Sequence, residues 1–365
     1  VIKEFSTTSD RMYVVDLVGG PQQVRVFDLD GSSRGMVPMK RVASVGQVVT
    51  LSNGEVLYSM QTYTEPLEYF RFNPMTGRSS KAGLVATSSQ PDFSDTEVKR
   101  EFAVSKDGTR VPLNIVRRKG TVMDGKNPVL LYGYGGYSIS LTPEARYWLR
   151  MWIDQGGVYA EATLRGGGEF GEEWHRSGNL TRKQNVFDDF AACAQWLIDH
   201  NYTNPSKLAI MGASNGGLLM GAELTQHPEM FRAVVSRVGI YDMLRVELSP
   251  NGSFNTTEFG SVKDPEQFKA LYSYSPYHHV KDGTKYPAVL MPTGDQDGRV
   301  DPMQSRKMVG RLQAATRSGY PVLLRTTAHA GHGMGTSKEE FLAEQTDIFV
   351  FLLDQLGMTF KPEVP

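Results

Sequence analysis

Cysteine is nearly absent: Cys193 is the single thiol in 365 residues. That excludes an internal disulfide framework and a thiolate-rich zinc site. Cys193 sits in FDDFAACAQWLIDH, an amphipathic helical pattern, and reads as a small buried apolar residue. Charge of one sign is lacking too. Lysine and arginine total 39 against 40 aspartates and glutamates, a net charge of −1. A nucleic-acid binder would carry a basic surplus, so none is expected as a partner. No apolar run approaches the roughly 18 residues that a membrane-spanning helix needs, so no membrane partner is expected either. The start, VIKEFSTTSD, has neither a methionine nor a basic-then-apolar leader and reads as a processed or truncated end. The seven histidines show no HExxH or HxH pattern, and no metal site is expected.

What remains is the composition of a folded globular protein, 40% hydrophobic and 22% charged. Length suggests two or three domains. Residues 1 to about 90 read as β structure. RMYVVDLV, QQVRVFDL, GQVVTL, EVLYSM and LEYFRFN are short apolar runs separated by the turn signals GGP, DGSS, SNGE and NPMTG. Their regular spacing suits a sandwich or one or two propeller blades. SSQPDFSD, 88–95, reads as a linker. Beyond it, VKREFAVS and TRVPLNIVRR predict a hairpin around KDG, and strand and helix patterns then alternate to the end. Such units predict a mainly parallel sheet with helices on both faces. The expected division is residues 1–90 and 91–365.

Between the strand KLAIMGAS and the helix GGLLMGAELTQHP lies Gly212-Ala213-Ser214-Asn215-Gly216, which fits G-x-S-x-G. The spacing has a steric reason. A serine on a sharp strand-to-helix turn needs small neighbours, and the turn raises its hydroxyl above the sheet edge. The N–H of Asn215 then faces a developing oxyanion. No G-x-G-x-x-G or GK[ST] supports a nucleotide site. A serine needs a base, and the base needs an anion. In an α/β-hydrolase the order is serine, acid, histidine. Asp295, Asp297 and Asp301 compete as the acid after YPAVLMPTG, with N-capping the expected task of Asp301. His329 and His332 compete as the base after PVLLRTT, and the flanking Gly331 and Gly333 suit a mobile ring at His332. His278 and His279 are expected on the surface or in a loop. Glu169, Glu172 and Glu173 in GGGEFGEEWH suggest ion pairs with Arg165 or Arg176 rather than a metal site.

LYGYGGY (131–137), LRGGGEFGEEWH (164–175), KQNVFDDF (183–190), GASNGGLLMG (212–221), YSPYHHV (274–280), GDQDGRVDP (294–302) and AGHGMG (330–335) occur in one order. With these motifs the chain resembles the prolyl oligopeptidase family of serine peptidases, over about residues 97–357. The resemblance implies an α/β-hydrolase fold preceded by the last blades of a β-propeller. It also implies that a short N-terminal piece and most of the propeller precede this point. The expectation is therefore a fragment, or a chain paired with a second one carrying the rest.

Residue by residue, the family pattern makes Ser214 the nucleophile, His332 the base and Asp297 its orienting acid. The Asn215 N–H and the Tyr134 hydroxyl would form the oxyanion hole, and Arg299 would bind a substrate carbonyl. The specificity pocket departs from the pattern. Tyr137 stands where phenylalanine is common, and Phe259 where tyrosine is. Ile240 and Val300 keep apolar walls. Asn255 stands where a tryptophan usually stacks on the substrate proline, and asparagine has no flat apolar face. Phe254, one position earlier, is a candidate replacement. Gly298 departs from the usual paired aspartates. The implied activity is hydrolysis of short peptides on the carboxyl side of proline, with strict proline preference weakened. The competing expectations are a carboxylesterase or peptide cyclase using the same triad, and a catalytically silent binding fragment. No cofactor is implied. The expected compartment is the cytoplasm, with periplasmic and secreted locations left open.

Overall fold

The computed structural model describes residues 1–84, 91–333 and 336–362. Part of the expected linker (88–90), the expected division at 90 and the end of the AGHGMG motif lie outside the described residues.

Residues 1–84 form two four-stranded antiparallel sheets. The first is β1 (Ile2–Thr7), β2 (Arg11–Leu17), β3 (Gln22–Asp28) and β4 (Ser33–Met36), in that order. The second is β5 (Ser44–Thr50), β6 (Val56–Gln61), β7 (Glu68–Asn73) and β8 (Arg78–Lys81). The predicted runs are β2, β3, β5, β6 and β7. The strands β1, β4 and β8 (IKEFST, SRGM and RSSK) are largely exposed, so they carry no apolar signal. Tyr13, Val15, Val24 and Val26 of the first sheet share one core with Val48, Val56, Tyr58 and Phe72 of the second.

The remaining strands build one eight-stranded sheet. They are β9 (Thr96–Val104), β10 (Arg110–Arg118), β11 (Val129–Tyr132), β12 (Val158–Ala162), β13 (Leu208–Ala213), β14 (Ala233–Arg237), β15 (Ala288–Gly294) and β16 (Val322–Thr327). The spatial order is β16-β15-β14-β13-β11-β12-β10-β9. The hairpin β9–β10 and the pair β10–β12 are antiparallel, and every other neighbour is parallel.

The α-helices among the described residues are α1 (Tyr147–Asp154), the short α2 (Glu172–Arg176), α3 (Gln184–Asp199), α4 (Asn215–Gln226), α5 (Gly252–Phe259), α6 (Pro265–Tyr274), the short α7 (Pro276–His279), α8 (Met303–Ala315) and α9 (Lys338–Gln355), and the longer ones cover both faces. The period-2 pleat sorts residues between two cores. Leu208 and Ile210 of β13 meet Phe190, Leu218 and Leu312 from α3, α4 and α8. Ala209 and Met211 point the other way, to Trp152 of α1 and Phe349 and Leu352 of α9. Cys193 is buried in the first of these cores. This is the α/β-hydrolase architecture, preceded by blade-like sheets.

One local expectation is corrected, and a second holds for one of its two arginines. His278 and His279 lie in α7, half-buried, with their Nδ1 atoms 2.8 Å from Ser275 Oγ and 3.0 Å from the Ser275 carbonyl. Arg165 pairs with Asp189 and Asp107, at 2.6 and 2.5 Å, rather than with the nearby glutamates. Arg176 does pair with Glu172, at 2.9 Å. Glu169 is buried; its Oε1 accepts the Leu141 N–H at 2.8 Å, and its carbonyl accepts the Gly19 N–H from the first blade. Among the described residues, no group of three or more His, Cys, Asp and Glu converges as a metal site would require, and no helix is long and apolar enough to cross a membrane.

Candidate active site

Ser214 sits between β13 and α4 with φ 59° and ψ −117°. This left-handed backbone costs a non-glycine residue on the order of 1–3 kcal/mol. The surroundings hold it: the Ser214 N–H donates to the Arg237 carbonyl of β14 at 2.9 Å, and its own carbonyl accepts from Gly217 and Leu218. Glycine is required on both sides. A Cβ on Gly212 would collide with the backbone of Gly216, and one on Gly216 would lie 2.8 Å from the Gly133 carbonyl oxygen. The serine is thereby presented at the carboxyl end of the strand and at the N-terminus of a helix. The first N–H groups there have no partners within the helix. The N–H of Asn215 is one of them, while the Asn215 side chain donates to the Tyr134 carbonyl at 2.5 Å.

Asp297 and His332 leave the neighbouring strands β15 and β16. His332 Nδ1 lies 2.7 Å from Asp297 Oδ2. The other carboxylate oxygen, Oδ1, accepts the N–H groups of Arg299 and Val300, each at 2.9 Å. Burial alone would raise the Asp297 pKa. The bond from His332 and the Val300 and Arg299 N–H groups outweigh it and hold the carboxyl below its ordinary range. An ionised carboxylate only accepts, so Nδ1 carries the proton and Nε2 is left free to take one. Among the described residues no hydrogen bond joins Ser214 Oγ to His332. Such bonds are often long before substrate binds.

The competing residues have other tasks. Asp301 Oδ1 accepts the Met303 N–H at the start of α8, and Asp295 pairs with Arg306 at 2.8 Å. His329 is exposed.

One cavity of about 380 Å³ gathers Tyr134, Tyr137, Ser214, Ile240, Phe254, Asn255, Arg299 and Val300. Ile139 and Asn251 also line it, although neither carries a sequence signal for a site. Tyr134 lines this cavity together with Ser214; burial first, with the nearby Tyr132 and Glu258, pushes its phenol up to about 12, so it stays a donor at neutral pH. Arg299 is exposed and forms no ion pair among the described residues, which leaves its guanidinium free. The Tyr137 hydroxyl donates to Asn255 Oδ1 at 2.9 Å, and its ring lies parallel to Phe254, 5.4 Å between centroids at 4°. A pair of stacked rings thus lies one position away from Asn255. Phe259 is not on the surface of the cavity. It is fully buried behind Tyr137, edge-on at 5.6 Å, and supports the wall from within the core.

The family model that matches this chain is the prolyl oligopeptidase family, over residues 143–359. The chain belongs to that family. It is 39% identical over 305 residues to the prolyl endopeptidase of Elizabethkingia meningoseptica, covering 83% of this chain and 43% of that protein. A solved prolyl endopeptidase structure superposes on 98% of the chain with a TM-score of 0.90 at 39% identity, using 53% of that protein. The prolyl oligopeptidase B of Galerina marginata, solved with a 35-residue hydrolysis and macrocyclization substrate, gives a TM-score of 0.90 at 30% identity, over 99% of this chain and 51% of that one. The chain thus spans about half the length of the relatives it matches. Nothing in these similarities supports a second chain carrying the remainder.

Proposed function

We propose that this chain carries the catalytic centre of a serine peptidase that hydrolyses short peptides on the carboxyl side of proline. Ser214 Oγ attacks the scissile carbonyl while His332 Nε2 takes its proton. Asp297 holds the imidazole in the required tautomer and stabilises the cation that forms. The Asn215 N–H and the Tyr134 hydroxyl receive the oxyanion. His332 then protonates the leaving amine, and water resolves the acyl-enzyme by the same steps in reverse. Arg299 binds a carbonyl of the peptide. The residue before the cut enters between Ile240, Val300 and the Tyr137–Phe254 rings, where an apolar ring such as proline fits.

The observation that carries this reading is the coincidence of a strained Ser214 with a cavity that it lines together with Tyr134, Arg299 and Val300, the last two following the Asp297 that holds His332. Fluorophosphonate labelling of the wild type and of Ser214→Ala, alongside chromogenic proline, alanine and arginine peptides and a simple acyl ester, tests it. The expected outcome is labelling that Ser214→Ala abolishes, and fastest turnover of the proline peptide. Ester-only turnover would replace the reading with a carboxylesterase. Absence of labelling in folded wild type would leave the silent fragment. A second reading, acyl transfer to a peptide amine to close a ring, has the support of the macrocyclization substrate held by the Galerina relative. It uses the same acyl-enzyme with an amine in place of water.

A further inference from the structure

Beneath the cavity lies a charged network that the triad does not use. Lys183, at the start of α3, is fully buried. Its ammonium donates to the Gly135 carbonyl and to Glu258 Oε1, both at 2.9 Å. Glu258, on α5, is buried as well, and its Oε2 lies 2.9 Å from His175 Nε2 of α2. Burying such a pair costs several kcal/mol per ion, and an apolar pair of similar volume is often as stable. Stability alone therefore does not account for it. Geometry does.

The segment that Lys183 grips is strained. Gly135, Tyr137 and Ser138 have φ of 62°, 56° and 55°. Two of these are non-glycine residues in the left-handed region, each costing about 1–2 kcal/mol. The segment keeps this shape only where its surroundings fix it. The Tyr134 carbonyl is held by the side chain of Asn215, beside the nucleophile. The next carbonyl, Gly135, is held by Lys183. Two residues on, the Tyr137 hydroxyl is held by Asn255 of α5. Glu258 lies one turn beyond Phe254 and Asn255 on the same helix, so the ion pair closes a ring of contacts. That ring joins the oxyanion-hole tyrosine at one end to the wall of the cavity at the other.

We infer that Lys183 and Glu258 are positioning residues that lock the Tyr134 hydroxyl and the Tyr137–Phe254 wall into one body, so that filling the pocket and stabilising the oxyanion are coupled. The inference rests on the proposed peptidase reading. Its distinctive consequence is that Lys183 acts through the Tyr134 hydroxyl. Loss of the ion pair lets the phenol drift, and a misplacement of about 1 Å costs on the order of 100-fold in rate.

The test is a double-mutant cycle. Lys183→Met removes the grip on Gly135. The paired variant Lys183→Met/Glu258→Gln does so without leaving a lone buried carboxylate, which keeps the cycle usable if the single variant does not fold. Each is measured in the wild-type and Tyr134→Phe backgrounds, with thermal midpoints as the check on folding. With Tyr134 present, the paired variant is expected to lower kcat about 10–100-fold on a proline peptide, with a smaller change in KM. With Tyr134→Phe it should lower kcat less than about threefold, because the hydroxyl being positioned is gone. The ratio of proline to alanine turnover should fall with kcat. Equal losses in both backgrounds would overturn the coupling while leaving the peptidase reading intact. A folded wild type that neither turns over peptides nor takes the fluorophosphonate would overturn the peptidase reading, and the coupling with it.

Discussion

His332 Nδ1 meets Asp297 Oδ2 at 2.7 Å, while the other oxygen of the same carboxylate is anchored by two successive backbone N–H groups. The acid is therefore fixed by its own loop before it fixes the histidine. Replacing Asp297 with asparagine keeps an acceptor for Val300 and Arg299 but removes the charge and permits the wrong imidazole tautomer. The expected result is a loss of about 10³–10⁴-fold in kcat with KM little changed. Steady-state kinetics on a proline peptide check it, and a loss under tenfold would remove Asp297 from the triad. Because the carboxyl is held below its ordinary pKa range, it stays ionised at any pH near neutrality.

Tyr134 offers a cleaner separation of binding from chemistry. Its ring lines the same cavity as Ser214, and its phenol is too weak an acid to ionise near neutral pH. Tyr134→Phe keeps the ring against the cavity and deletes only the donor. A donor used only in the transition state contributes about 10²–10³-fold. The variant should lose that much in kcat, keep KM, and label more slowly with the fluorophosphonate. An unchanged kcat would assign the ring to packing alone.

Specificity should follow the rings rather than position 255. Phe254 is 56% exposed and stacks on Tyr137, so its removal leaves the fold untouched and the pocket without one flat wall. Phe254→Ala is expected to lower the preference for proline over alanine about tenfold, the scale of an aromatic contact near 1–1.5 kcal/mol. Asn255→Ala acts differently. It leaves the Tyr137 hydroxyl without its acceptor, and a buried unpaired group costs about 1–3 kcal/mol. Its effect should appear first in the thermal midpoint. Competition between proline and alanine peptides distinguishes the two, and equal ratios in wild type and Phe254→Ala would exclude the stacked wall.

The sequence made the frame readable where burial is regular. Leu208 to Met211 and Val129 to Leu131 are continuous apolar runs because both faces of the sheet are covered. Ser214 was readable because the elbow needs glycines at fixed offsets. The strand β4, SRGM, was not, because it is exposed along its whole length. The helix α5 was missed for another reason. It buries Asn255 and Glu258 as well as Phe259, so no apolar stripe marks it. Helix α6 did carry a signal, Asp264-Pro265-Glu266, in which the Asp264 side chain caps two N–H groups. Lys183 and Glu258 meet across 75 residues of sequence. Such a contact has no local signature at all, since nothing in KQNVFDDF distinguishes a buried lysine from a solvated one.

Glu169 supplies a prediction about stability and pH. Burial pushes its carboxyl up to about 7, against the pull of the Leu141 N–H, and its Oε2 has no hydrogen-bond partner among the described residues. In the unfolded chain a glutamate titrates near 4.3. The folded state thus holds this proton more tightly, and the stability it contributes is full below about pH 4.3. That stability is lost as pH rises through about 7, where the loss levels off at on the order of 3 kcal/mol. Glu169→Gln retains an acceptor for Leu141 and never ionises. Wild type and variant should have similar thermal midpoints near pH 4.5, and the variant should gain by several degrees at pH 8. The site lies where Gly19 of the first blade meets the eight-stranded part, so the same titration should loosen that seam. Thermal unfolding of both proteins across this range decides the matter, and parallel midpoints from pH 4.5 to pH 8 would show that Glu169 is ionised in the folded protein throughout.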